Sequence, residues 1–123
     1  MHAIPAVLLL TGAVVLGLLL GLDYLRQVRS RPTLIGFHLL LGAGSLEVIV
    51  MLLRGSPDGV TLGAGPILKS TAALVAVALC SGLVAPMIGR RSRPTMNVAL
   101  TVHVTAAAAG FVLCIVWLAQ ALR

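Results

Sequence analysis

Four stretches of this chain, residues 4–25, 33–53, 66–89 and 95–121, stay apolar over the length needed to cross a bilayer core, about 20 residues as a helix. Within hydrocarbon every backbone N–H and C=O needs an internal partner, so a spanning segment is a helix or a strand of a closed barrel. The alternation of a barrel strand is absent. The expected fold is therefore all-α: a four-helix transmembrane bundle made of two helical hairpins, in a single integral membrane domain covering residues 1–123. Composition agrees, with 59% of residues hydrophobic and 10% charged, against about 45–50% and about 25% in soluble domains. Too few charges remain to cover a water-exposed surface. The first stretch differs from a secretory signal peptide, because no basic segment precedes it and Asp23–Arg31 follows where a small-residue cleavage site would stand.

The few charges set the expected orientation. Arg26, Arg29 and Arg31 fall in the first connection and Arg90, Arg91 and Arg93 in the third, whereas the second connection and the chain ends carry only Arg54, Lys69 and Arg123. Lys and Arg concentrate on the cytoplasmic side of membrane proteins. This predicts a multi-pass protein of the bacterial cytoplasmic (inner) membrane with both termini outside. The net charge of +6 is thus a topology signal, and it suits anionic lipid headgroups of the surrounding bilayer. Nucleic acid is excluded as a partner, since these arginines sit in tight turns without an aromatic platform. Cys80 and Cys114 fall at depths roughly 15 Å apart on their helices, too far for a disulfide, and are expected to be free apolar fillers.

One pentapeptide occurs twice, as Arg29-Ser30-Arg31-Pro32-Thr33 and as Arg91-Ser92-Arg93-Pro94-Thr95. Each copy joins two apolar stretches on the same side of the membrane, which suggests two hairpins related by a pseudo-twofold axis along the membrane normal. Each Pro suits the first turn of a helix, and Ser30 and Ser92 are candidate caps. The second connection, from Gly55 to Pro66, has loop chemistry throughout. Gly17 and Gly21 form a GxxxG pair that favours close helix contact.

Ionisable residues inside a bilayer are expensive and mark candidate functional groups; here they are His38, Glu47 and His103. His38 lies six residues after Pro32 and His103 nine after Pro94, depths of roughly 9 and 13 Å that a modest tilt brings level. Two imidazoles from facing helices at one depth are what axial ligation of one haem iron requires. Positions four and seven residues on share a helix face with each histidine: Gly42 and Ser45 beside His38, Ala107 and Gly110 beside His103. These small residues leave room for a porphyrin, and Arg31, Arg91 and Arg93 stand where they can pair with propionates. A membrane histidine also serves simply to bond to a neighbouring helix, and Asn97, Thr101 and Thr105 form a polar stripe roughly opposite His103. Either that stripe or His103 then faces a second protein surface, as in a homo-oligomer. Glu47 lies on the other side of its helix from His38, with Lys69 or Arg54 as expected ion-pair partners. Trp117 reads as an interfacial anchor.

Four helices together with His38-Leu39-Leu40-Leu41-Gly42 and His103-Val104-Thr105-Ala106-Ala107 resemble the small four-helix b-type cytochromes of bacterial membranes. Two-haem members of that class use four histidines; this chain places only two in its apolar stretches, and His2 is terminal. The resemblance therefore implies one bis-histidine haem b, with His38 and His103 as metal ligands, and electron transfer with a quinone, a redox protein or an oxygen species. The competing class is a small oligomeric channel or transporter, or a membrane assembly subunit, without a redox cofactor.

Overall fold

In the computed structural model, which describes residues 3–55 and 65–121, four helices follow one another: α1 (Ala3–Leu25), α2 (Pro32–Arg54), α3 (Pro66–Gly89) and α4 (Arg93–Ala121). All four are long and apolar enough to cross a membrane. Neither Asp58 nor the rest of residues 56–64, read above as loop, nor His2 and Arg123, falls among the described residues.

Helix ends follow local chemistry. Proline opens α2 and α3 at Pro32 and Pro66, where its missing N–H removes no helix bond. Gly55 ends α2 with φ 83°, a left-handed value that suits glycine. Gln27 ends α1 in the left-handed region with φ 58°. The Val28 N–H donates to the Asp23 carbonyl at 2.9 Å and the Gln27 N–H to the Tyr24 carbonyl at 3.1 Å, the bonding pattern of a Schellman cap. The serines expected to cap do not do so. The N-cap of α2 is Arg31, without a side-chain bond, and the Ser92 hydroxyl instead accepts from Thr95 Oγ1 at 3.0 Å.

The helices pack in a ring. Within the hairpins, α1 lies on α2 and α3 on α4; between hairpins, α2 meets α3 and α1 meets α4 along sparser seams. Among the described residues no Cα of α2 comes within 8 Å of one of α4, so the two histidine-bearing helices stand diagonally across the bundle.

The two halves of the bundle are filled differently. Ala6, Leu10, Ile49, Leu68, Val75, Cys114 and Trp117 form one buried cluster toward the end away from the arginine connections. Trp117 is buried in this cluster, among residues of both hairpins, rather than exposed as an interfacial anchor would be. From the level of Ala13 and Ala78 toward the arginine end, the buried residues are Ala13, Ala78, Ala85 and Ala106. That half is closed by small side chains, and the histidines lie in it.

Candidate functional site

His38 and His103 meet at the centre of the bundle. Their ring centres are 5.8 Å apart and their planes are inclined at 74°. Each ring is tied to its own hairpin: His38 Nδ1 bonds to the Ala13 carbonyl of α1 at 2.8 Å, and His103 Nδ1 to the Ala78 carbonyl of α3 at 2.7 Å. A carbonyl oxygen only accepts, so Nδ1 carries the proton in both rings and Nε2 presents a lone pair. Locking the tautomer through Nδ1–H to a backbone carbonyl is how proteins orient imidazoles that ligate metals.

Glycines make the seats. A Cβ on Gly17 would come within 3.0 Å of His38 Cε1, and one on Gly82 within 2.8 Å of His103 Nδ1 and 2.9 Å of its Cε1. The two half-sites are equivalent: Ala13, Gly17 and His38 recur 65 residues on as Ala78, Gly82 and His103. Buried Ser45 and Ile49 likewise correspond to buried Gly110 and Cys114. The repeated arginine string is offset by only 62 residues. The difference is absorbed in the connections, which run from Arg26 to Arg31 in one hairpin and from Arg90 to Ser92 in the other. One asymmetry is chemical. Pro86, inside α3, offers no N–H to the Gly82 carbonyl four residues back, so that carbonyl beside His103 lacks its helix donor.

The other candidate residues are distributed as follows. Gly42 has open space where a Cβ would stand. Ser45 is buried and donates to the Gly42 carbonyl at 2.8 Å. Ala107 is half-buried. Gly110 lies against α3, where a Cβ would meet Leu74 Cβ and Val75 Cγ2 at 3.3 Å, and so closes the α3–α4 hairpin. Arg31, Arg91 and Arg93 are exposed at the arginine end, and Arg93 Nη1 donates to Gln27 Oε1 at 3.4 Å. Above that rim Tyr24 OH donates to Asn97 Oδ1 at 2.5 Å, fastening α1 to α4. Asn97, Thr101 and Thr105 are exposed while His103 faces inward, and Thr101 Oγ1 donates to the Asn97 carbonyl at 2.8 Å. Cys80 and Cys114 are both free.

Ala13, Gly17, Ala78 and Gly82 were not singled out together from sequence. Their signal is the paired spacing: an alanine 25 residues and a glycine 21 residues before each membrane histidine.

The residues present fit a metal that brings most of its own ligands. Among the described residues no group of three or more His, Cys, Asp or Glu is placed to hold a metal ion, which disfavours a bare zinc centre with its four protein ligands. Haem needs only two axial donors. His38 and His103, whose ring centres lie 5.8 Å apart, are the residues that would hold it. Two open grooves lie elsewhere, one of about 450 Å³ between α3 and α4 and one of about 640 Å³ beside Arg90 and Arg91. A planar group between the imidazoles would therefore part the hairpins along their sparser seam. No family model, curated protein or solved structure matches this chain.

Proposed function

We propose that this chain is a membrane electron-transfer protein that binds one haem b between His38 and His103. The observation that carries the reading is the pair of imidazoles meeting across the inter-hairpin seam, each with Nδ1–H tied to a backbone carbonyl and Nε2 left as a donor to metal. When bound, haem supplies a one-electron ferric/ferrous couple. The chain's part is to orient each imidazole on its own hairpin through the Nδ1–H bond and to keep water away with apolar helices. Ala13 and Ala78 polarise the imidazoles through their carbonyls and strengthen them as ligands. Arg31, Arg91 and Arg93 offer cations to propionates at the nearer end of the bundle. The exchange partner is a quinone or a redox protein.

Visible absorption of the detergent-purified protein, expressed with ample haem, tests this reading. A low-spin six-coordinate spectrum in both oxidation states, with about one haem per chain, is expected. A colourless protein would leave the histidines as ties within each hairpin, and the chain as a transporter or assembly subunit.

The orientation belongs to the same reading. Six arginines in the two connections at one end support an orientation with that end in the cytoplasm and both termini outside the inner membrane. Single cysteines at Arg29 and Arg91, in a background lacking Cys80 and Cys114, should resist an impermeant thiol reagent in intact spheroplasts and react after lysis. Labelling of either position before lysis would reverse the topology.

A further inference from the structure

We infer that the outer faces of α2 and α3 pair with those of a second copy of this chain, through Glu47 of each copy and Lys69 of the other. Glu47 is exposed on α2, seven residues before Arg54 and so about 10 Å inside that end of the span. A carboxylate facing lipid at that depth costs several kcal/mol unless it is covered or paired. The expected pair within one chain is not formed: none of the side-chain hydrogen bonds among the described residues involves Glu47, Lys69 or Arg54.

A carboxylate on the far side of α2 from the bundle axis is covered only from outside the bundle. Lys69 is the matching charge. It is exposed on the neighbouring helix α3, three residues inside Pro66 and thus about 5 Å from the same end. The difference in depth is about the reach of a lysine side chain, which extends along a helix readily. An acid on one helix and a base on the next, at one end of one chain, form a self-complementary pattern. A twofold axis along the membrane normal then makes two Glu47–Lys69 pairs at once. Gly36, eleven residues before Glu47 and so on the same face of α2, would have nothing within 4 Å of an added Cβ, which leaves that face open to close approach. This proposal is independent of the haem reading, because neither residue lies near the histidines.

The test is the oligomeric state of the full chain in lipid nanodiscs and in detergent dilution series, by single-molecule photobleaching and by light scattering. The wild-type chain should be dimeric. Glu47→Lys alone and Lys69→Glu alone should each weaken the dimer by roughly thirty-fold or more, as a desolvated pair does on losing one member. The double exchange should restore it. Helical circular dichroism of each variant separates lost association from lost folding, and Glu47→Gln, which keeps shape and removes charge, should weaken the dimer in the same direction. A monomeric wild type, single exchanges that leave the dimer intact, or a double exchange as weak as either single would each overturn the proposal.

Discussion

Replacing either His38 or His103 with alanine should abolish the six-coordinate low-spin haem spectrum while leaving the four helices folded. The two effects separate because the proposed function gives the histidines two jobs. As ties, each contributes one Nδ1–H bond to a carbonyl of the preceding helix, worth about 0.6 kcal/mol and at most roughly 1.7 kcal/mol in membrane helices. As the proposed ligands they would have no substitute, since the described residues bring no group of three or more metal-binding side chains together. Each alanine variant should therefore lose little stability and all of the paired-imidazole spectrum. Free imidazole added to the variant should restore part of that spectrum by entering the space left behind. If instead both variants keep the wild-type spectrum, the haem lies elsewhere. If wild type and variants are alike colourless and differ only in stability, the histidines are ties alone.

Much of the architecture was legible because bilayer physics leaves few choices. Apolar length located all four helices to within two residues at each described end, and the arginine connections marked the turn inside each hairpin. Spacing from Pro32 and Pro94 placed His38 and His103 near one depth, and they do meet. Other features depend on how helices rotate against one another, which apolar periodicity hardly encodes when every face is apolar. Nothing in the sequence distinguishes a diagonal from an adjacent α2–α4 arrangement. Trp117 carries the same signal at a membrane surface as in a core, and only the packing of both hairpins buries it. Gly17 looked like half of a generic GxxxG pair, yet its partner is the His38 ring, and Gly21 meets nothing. The arginine string also pointed to the wrong register. It repeats at 62 residues while the helices match at 65, because the connections are free to differ in length and the site is not.

Gly82→Ala should be more damaging than Gly17→Ala, while Gly21→Ala should be harmless. In an ordinary helix Gly→Ala gains about 1 kcal/mol in propensity, so a loss must come from contact. At Gly21 no atom lies within 4 Å of the added carbon, and the variant should match or slightly exceed wild-type stability. At Gly17 the new methyl meets one edge of the His38 ring at 3.0 Å, and a few tenths of an ångström of ring movement relieves it. At Gly82 the methyl meets two ring atoms of His103 at 2.8 and 2.9 Å, one of them Nδ1 itself. The ring cannot swing away without giving up its bond to the Ala78 carbonyl or advancing on His38, whose ring centre is already 5.8 Å off. Overpacking of this kind costs about 1–3 kcal/mol, and the displaced imidazole should also release haem faster than wild type does. Stability by reversible unfolding in mixed micelles, with haem transfer to an apo-acceptor as a second readout, should rank the variants in that order. Equal stability and equal haem retention for Gly82→Ala and Gly21→Ala would mean that His103 does not rest on α3. The paired glycine seats would then have no role in holding the two rings against each other.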